Sequence, residues 1–392
     1  MRTSCKKFCG FTESSAKEVH GHPSITPLYC KARDFLGHYY LWNIYTSMSE
    51  TANNDWVMLT SPFSVIQSAL GSSKWMVVTD DEEMKIIKLS ACNVPEEEQF
   101  SGVFPAKALT QLTNLTVLNL RKCRLMTALP DSIALVTSLK KLDLSRCEGL
   151  TVLPESIGQL KELTELNVMD CNQLRALPDS IGLCTNLRKL SVGGMKTMQY
   201  LPESLGNCKK LEYIDLFKNR ELQRLPESIG GCESLVEINL RGCKVLQYLP
   251  ASIVELKNLR ELSLYKCVAL ERLPEDIDRL TALEELALNK CQKLRALPVA
   301  IGNLSKLTML DIGRCKGLTA LPDEIGYLER LRWLDLEKCK NLTFLPNSFA
   351  MLKSLKYLNL LKCLKLEYLP EGMEEMVKMG IIVNCPLLEN ND

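Results

Sequence analysis

Hydrophobic positions recur along this chain with a period of 24 residues. Each period carries the pattern L-x-x-L-x-L-x-x-C-x-x-L, as from Leu331 to Leu342, and ends in a Leu-Pro pair. The alternating positions predict a short strand with every second side chain facing inward. A strict period predicts one structural unit repeated along an axis. The prolines that mark it are Pro130, Pro154, Pro178, Pro202, Pro226, Pro250, Pro274, Pro298, Pro322, Pro346 and Pro370.

The segment after each proline predicts a short helical or 3₁₀ turn, because Ile157, Leu160 and Leu163 follow Pro154 at near-helical spacing. One repeat cannot fold alone. About eight inward side chains gain roughly 1.5–3 kcal/mol each, while each ordered residue costs roughly 1–2 kcal/mol. Stacked repeats share one core and one parallel sheet. We therefore predict an α/β solenoid with a parallel sheet on its concave face and short helices or 3₁₀ turns on its convex face.

These motifs resemble the Cys-type leucine-rich repeats of plant intracellular immune receptors and of Ras-group scaffold proteins. The resemblance covers roughly residues 84 to 385. Degenerate copies fit at both ends, with Ile87 and Leu89 as strand positions of the first and Gly380 and Ile382 as those of the last. The resemblance implies a horseshoe that binds protein partners on its concave face. It does not extend to the nucleotide-binding switch of those receptors.

The pattern divides the chain into three regions. Residues 1–80 are an N-terminal region, partly disordered, in which Trp56 to Val78 could fold as a cap over the open end of the sheet. Residues 81–385 are the array of about thirteen repeats, and residues 386–392 are a tail.

Cysteines recur at one repeat position, where stacking would bring neighbours to about 5 Å, within reach of disulfide formation. Such a ladder is more easily kept in a reducing compartment, so the sequence predicts a cytoplasmic protein. Cys184, Cys208 and Cys232 form a second set, which we expect to fill the core. The ladder consists of Cys92, Cys123, Cys147, Cys171, Cys243, Cys267, Cys291, Cys315, Cys339, Cys363 and Cys385.

Composition argues against several function classes. The 48 Lys and Arg residues nearly balance 47 Asp and Glu residues, so net charge gives no general attraction for nucleic acid or membrane. The start of the chain has no apolar core of a secretory leader, and no run of about 18 apolar residues predicts a membrane span. We expect neither nucleic acid nor membrane as a partner.

A row of cations precedes the ladder cysteine in eight repeats. We expect this basic row at one rim of the sheet, and two interpretations stay open. It could attract an acidic partner, or it could be a solvated rim that keeps the sheet edge soluble. The basic row consists of Lys122, Arg146, Lys218, Lys266, Lys290, Arg314, Lys338 and Lys362.

Two departures from the pattern on the concave face are candidate contacts for a partner. The first is a dip where side chains are missing, beside aromatic rings of the next repeat, and the second is a trail of aromatic side chains. Drift of the repeat sequence is the alternative for both. The candidates are Ser191, Gly193, Gly194, Tyr213 and Phe217 for the dip, and Tyr265, Trp333 and Tyr357 for the trail.

Signals of catalysis, cofactors or metals are absent from the array. Lys196 lacks the preceding glycine of a phosphate-binding loop, and all three histidines lie before residue 40, so no nucleophile in the repeats has a histidine base. Cys5, Cys9, His20 and His22 match no common zinc-finger spacing. We predict no enzyme activity, no cofactor and no metal.

The sequence therefore predicts a non-catalytic protein–protein interaction module, an intracellular scaffold or recognition protein with a possible part in signalling or defence. A receptor ectodomain is one alternative. An enzyme whose activity lies in residues 1–80 and whose repeats select the substrate is another. The sequence does not identify the partner or the oligomeric state.

Overall fold

The computed structural model describes residues 76–79, 86–90, 101–383 and 385–387. The chain divides into two units, Met1–Leu59 and Thr60–Asp392, and every described residue belongs to the second. The four residues of the zinc-spacing comparison, most of the expected N-terminal cap and the ladder residue Cys92 lie outside the described residues. Eleven regular repeats are numbered here from the leucine that opens each strand, with repeat 1 at Leu115 and repeat 11 at Leu355.

The repeats build a fourteen-stranded sheet in the order β1-β2-β4-β6 and then β7 through β16. β1 pairs with β2 antiparallel, and every later neighbour pairs in parallel. β3 and β5 form a separate parallel pair. The strands are β1 Met76–Thr79, β2 Ile86–Ser90, β3 Gly102–Val103, β4 Val117–Asn119, β5 Met126–Ala128, β6 Lys141–Asp143, β7 Glu165–Asn167, β8 Lys189–Ser191, β9 Tyr213–Asp215, β10 Glu237–Asn239, β11 Glu261–Ser263, β12 Glu285–Ala287, β13 Met309–Asp311, β14 Trp333–Asp335, β15 Tyr357–Asn359 and β16 Ile382–Val383.

The sheet confirms the predicted α/β solenoid. The middle leucine of each strand lies opposite its counterpart 24 residues away, so that Leu118 pairs with Leu142 and Leu142 with Leu166. These side chains are fully buried and form one column through the core. Burying a leucine contributes about 1.5–3 kcal/mol, and stacking lets each repeat close the apolar face of the one before it.

The predicted strand register at both ends was wrong by two residues. Leu89, and not Ile87, lies opposite Leu118. Ile382, and not Gly380, lies opposite Leu358. A shift of two keeps the same side chains on the inward face, because the strand period is two. At the last strand the shift brings an isoleucine into the column, where Gly380 would have left a gap.

The convex face consists of short 3₁₀ segments, as predicted; nine of the ten among the described residues begin directly after a proline, and Ile277–Arg279 begins three residues after Pro274. Two short α-helices flank them, α1 (Ala106–Leu109) and α2 (Glu374–Lys378). No helix among the described residues is long and apolar enough to cross a membrane. The 3₁₀ segments are Asp131–Leu135, Glu155–Gln159, Asp179–Leu183, Glu203–Asn207, Glu227–Gly231, Ala251–Glu255, Ile277–Arg279, Val299–Asn303, Asp323–Tyr327 and Asn347–Met351.

The ladder cysteines from Cys123 to Cys363 are buried and free of disulfides. Cys385 is also buried, but it follows Ile382 by three residues where Cys363 follows Leu358 by five, so the corrected register places it outside the ladder position. The ladder thiols from Cys147 to Cys363 donate to a carbonyl oxygen in the preceding repeat, for example from Cys147 Sγ to Leu120 O at 3.1 Å and from Cys171 Sγ to Leu144 O at 3.1 Å. Burial raises the pKa of the Cys123 thiol to about 12. The second set fills the core as predicted, and Cys232 Sγ donates to Leu205 O at 3.3 Å.

The residue before each ladder position is left-handed in all eleven repeats. Lys266 has φ 61° and Lys290 has φ 65°, and Gly242 occupies the same position with φ 82°. The turn closes when the Cys267 N–H donates to Leu264 O at 3.0 Å. A positive φ at the third residue of a β-turn ordinarily selects glycine or asparagine. This chain places lysine or arginine there in eight repeats.

Candidate functional site

An apolar strip runs across the last three regular strands of the concave face. Met309, Trp333 and Tyr357 occupy equivalent positions and lie opposite one another in register. The rings of Trp333 and Tyr357 stack with centroids 5.4 Å apart and planes 5° from parallel. All three side chains are half-buried, and the hydrogen bonds of the parallel sheet fix the backbone of their strands. We call this set the aromatic strip.

Carboxylates lie beside the aromatic strip. Asp311 and Asp335 are opposite one another in adjacent strands, and each accepts a hydrogen bond from the backbone N–H two residues later, Gly313 at 3.1 Å and Glu337 at 2.7 Å. Burial raises the pKa of Asp311 to about 7, with Asp335 and Glu337 adding to the rise. Burial also raises the pKa of Asp335. A desolvated carboxylate pair next to apolar rings would favour a cationic side chain.

Three further carboxylates stand in the row that the aromatic strip continues. Glu237, Glu261 and Glu285 lie opposite one another on adjacent strands. Burial raises the pKa of Glu237 and Glu285, and repulsion from Glu261 adds to both shifts. Like charges directly opposite each other destabilise a sheet. We call this set the acidic row.

The predicted dip at Gly193 lies where the next repeat approaches the backbone closely. Gly193 is buried, and a Cβ there would lie 2.8 Å from the backbone oxygen of Phe217. The glycine therefore permits close approach of the next repeat. Asn219 is fully buried: its Oδ1 accepts from the Met195 N–H at 2.9 Å, and its Nδ2 donates to Val192 O at 3.0 Å.

The other candidates near this junction remain at the surface. Tyr213 is half-buried and its hydroxyl donates to Asp215 Oδ2 at 3.2 Å. Ser191 lies opposite Asp215 in the sheet. The ammonium group of Lys218 lies 4.7 Å from the centroid of the Phe217 ring. Their role as partner contacts stays a prediction.

The predicted aromatic trail divides into two places. Trp333 and Tyr357 meet, whereas Tyr265 lies on repeat 7, beyond the end of its strand Glu261–Ser263. Three cations surround the Tyr265 ring instead. Arg241 Cζ and Lys266 Nζ are each 5.1 Å from the centroid, and Lys290 Nζ is 4.9 Å from it. We call these four residues the Tyr265 cluster.

The basic row follows the left-handed turn position along one rim of the sheet. Part of it is neutralised, since Arg314 and Lys338 both pair with Glu337, at 3.1 and 2.5 Å. Arg146 lies 3.6 Å from Asp170. Ion pairs near the surface contribute little to stability. The row is therefore uneven in charge, and Lys266 and Lys290 beside Tyr265 belong to the part without ion pairs.

Sequence reasoning missed the acidic row, Met309, the carboxylate pair and the arginine of the Tyr265 cluster. The sequence did carry the signal, because alignment of the repeats at the 24-residue period places Glu237, Glu261 and Glu285 at the same strand position. Arg241 and Lys290 stand 24 and 25 residues from Tyr265, the spacing that brings residues together across neighbouring repeats.

Beyond the concave face, an open groove of about 390 Å³ lies on the opposite side of the repeats near Val254 and Asp276, with Tyr248, Arg272 and Pro274 in its lining. No group of three or more His, Cys, Asp or Glu side chains within the described residues is arranged to hold a metal ion.

Comparison with known proteins agrees with this geometry. The family described as a leucine-rich repeat region matches residues 195–317, and that described as a leucine-rich repeat matches residues 114–135 and 138–160. No curated protein sequence is significantly similar to the chain.

Two solved structures are similar to this chain. The leucine-rich repeat domain of the type III effector XopL is 26% identical, with 71% of this chain and 92% of that chain covered and a TM-score of 0.53. A leucine-rich repeat protein of Leptospira interrogans is 27% identical, with 72% of this chain and 80% of that chain covered and a TM-score of 0.48. The repeat register, the family matches and the XopL domain together show that this chain is a leucine-rich repeat protein.

Proposed function

We propose that this protein is a non-catalytic recognition module that binds a partner protein on its concave face. The observation that carries the proposal is the aromatic strip, in which the stacked Trp333 and Tyr357 continue the line of the acidic row on a rigid sheet. Aromatic side chains held in place contribute strongly to binding, because little conformational entropy remains to be lost.

The surface favours a partner segment that presents apolar and basic side chains. The aromatic strip would receive the apolar ones. The acidic row, together with Asp311 and Asp335, would receive the basic ones, since a cationic neighbour would relieve the repulsion between these carboxylates. Binding a cation there would lower the raised pKa of Asp311.

Paired capture experiments test the proposal. Wild-type protein and the Trp333→Ala variant would be compared by quantitative mass spectrometry of captured proteins and by in-solution cross-linking of the strongest candidate. Tyr327→Ala is the matched control, because Tyr327 is an exposed aromatic residue at the end of the convex segment Asp323–Tyr327. We expect Trp333→Ala to lose a partner that Tyr327→Ala keeps, and equal capture by all three proteins would refute the concave site.

We further propose a reducing, cytoplasmic setting, supported by the two sets of closely stacked free thiols. A part in signalling or defence rests on the resemblance to plant immune receptors alone. Differential alkylation of the protein taken directly from cells, followed by mass spectrometry, tests the compartment. Reduced ladder cysteines are expected, whereas disulfides among them would favour the receptor ectodomain.

A further inference from the structure

The Tyr265 cluster concentrates positive charge at one point of the rim. Three cations approach one ring within about 5 Å, and Lys290 Nζ also donates a hydrogen bond to the Tyr265 hydroxyl oxygen at 2.7 Å. That hydrogen bond, with the charges of Lys266 and Lys290, lowers the pKa of Tyr265. Because the phenol oxygen accepts from Lys290, its own proton is free to donate outward.

Carboxylates compensate the cluster only in part. Within the described part of the chain, Arg241, Lys266 and Lys290 make no ion pair, whereas Arg314 and Lys338 further along the row share Glu337. Lys290 acts on Asp311 through space, and its charge lowers the pKa of that carboxyl against the larger effect of burial. The three cations repel one another, the face of the ring offsets part of that repulsion, and an anion bound beside them would relieve more of it.

The backbone fixes the positions of the two lysines in the cluster. Lys266 and Lys290 both adopt the left-handed conformation at a turn position where Gly242 shows that glycine fits. Their N–H groups donate to Asn289 O at 2.9 Å and to Gly313 O at 2.8 Å, which fixes the turns against the next repeat. The same conformation recurs at this position in all eleven repeats, so it fixes where the two lysines stand and does not by itself mark them as functional.

We propose that Arg241, Tyr265, Lys266 and Lys290 form an anion-binding subsite that takes the phosphomonoester of a phosphorylated residue on the partner protein. The subsite deepens the proposed function, because it assumes a protein on the concave face. A dianion offsets three cations better than one carboxylate does. Arginine supplies a planar fork for two oxygens, and the lysines and the phenol supply further donors.

The acidic row favours a single phosphate over a long polyanion as the ligand of the Tyr265 cluster. Glu237, Glu261 and Glu285 belong to the strands of the same three repeats that carry the cluster. A nucleic acid lying across these strands would meet these three carboxylates. A peptide with one phosphorylated side chain and basic residues on one side of it would place the phosphate on the Tyr265 cluster and the basic residues on the acidic row.

Degenerate peptides test the subsite. The probe is a library of synthetic peptides centred on phosphoserine, phosphothreonine or phosphotyrosine, together with its unphosphorylated twin. Binding would be measured by fluorescence anisotropy with the full chain. We expect wild-type protein to prefer the phosphorylated library at least tenfold and to select basic residues beside the phosphate. Phenyl phosphate should compete with the library for binding.

Two double variants supply the comparison. Lys266→Gly/Lys290→Gly removes two charges from the cluster at positions where glycine suits the turn, so the melting temperature should not fall. Lys122→Gly/Lys362→Gly makes the same change in the same turn, far from Tyr265 along the array. We expect the first variant to lose the phosphate preference and the second to keep it.

Several results would overturn the subsite: no phosphate preference in wild type, a preference that survives Lys266→Gly/Lys290→Gly, an equal loss in both double variants, or tighter binding of single-stranded RNA than of the phosphopeptides. If Trp333→Ala still loses its partner while no phosphate preference exists, the proposed function stands and the subsite alone fails. If the phosphate preference holds while Trp333→Ala keeps every partner, the subsite stands and the aromatic strip fails.

Discussion

Gly158 packs against the backbone of Ser180, the equivalent of Ser156 in the next repeat. A Cβ at Gly158 would lie 2.6 Å from the Ser180 carbonyl oxygen and 2.8 Å from its Cβ. Gly158, which follows Ser156 and Ile157 after Pro154, thus sets the spacing of the convex face. Val254 holds the same position in repeat 6, and there the following 3₁₀ segment is shortened to Ile277–Arg279, beside the groove that Val254 lines.

Gly158→Ala should therefore lower the free energy of unfolding by about 1–3 kcal/mol, because the added methyl group meets backbone atoms that cannot move independently. Gly313→Ala is the control, because the three atoms nearest its Cβ would belong to side chains, the closest at 3.3 Å. Urea denaturation followed by circular dichroism measures both. Equal effects of the two substitutions would contradict the role of Gly158 as a spacer.

Asn219 replaces a ladder cysteine and holds two repeats together. Its amide connects the Met195 N–H to Val192 O, the two ends of the preceding turn. Asn219→Ala should cost about 3 kcal/mol, because two buried backbone groups lose their partners. Asn219→Cys should cost less, since a thiol can still donate to Val192 O as Cys243 Sγ does to Leu216 O at 3.4 Å. The denaturation midpoint of Asn219→Cys should therefore lie above that of Asn219→Ala, and the reverse order would contradict this role of Asn219.

The left-handed turn position predicts opposite effects for two substitutions. Lys266→Gly should raise the free energy of unfolding by about 1 kcal/mol, because glycine adopts a positive φ without penalty, and Gly242→Lys should lower it by a similar amount. A Cβ at Gly242 meets nothing closer than 3.5 Å, so the loss would come from the backbone alone. Lys189→Gly, on strand β8, controls for lost charge and should destabilise the protein.

The 24-residue period was enough to predict the fold, because inward leucines such as Leu118 repeat without slipping and only one register buries them all. It failed at Leu89 and Ile382, because the end copies depart from the spacing of the regular repeats. It also gave no hint of the conformation of Lys266, since lysine does not ordinarily mark a left-handed turn. The charge around Tyr265 depends on side chains from three repeats, which a search within one repeat does not bring together.

The ladder thiols should be inert in the folded protein. Burial raises the pKa of Cys123 and of Cys171 to about 12, and the thiolate is the form that reacts. At pH 8, iodoacetamide should leave both residues unmodified in native protein and label them after addition of guanidinium chloride. Peptide mass spectrometry reads the sites directly. Rapid labelling of Cys123 or Cys171 in native protein would contradict their burial.

Ionisation of Asp311 should lower the free energy of unfolding as pH rises from about 4 to about 7. Its pKa is about 7 in the fold because of burial, above the ordinary value of 3.8 that applies when the chain is unfolded. Between these values the folded state binds more protons than the unfolded state, so the free energy of unfolding falls from about pH 4 to about pH 7.

Asp311→Asn removes this penalty while keeping the bond from the Gly313 N–H, as Asn359 does for the Leu361 N–H at 3.1 Å. A rise of the pKa from 3.8 to about 7 corresponds to about 4 kcal/mol, and solvent at the partly exposed side chain reduces this to about 2 kcal/mol. The variant should therefore be more stable than wild type at pH 8 and equal to it near pH 4. Urea midpoints across this range measure the difference, and parallel profiles for the two proteins would show that Asp311 stays ionised throughout.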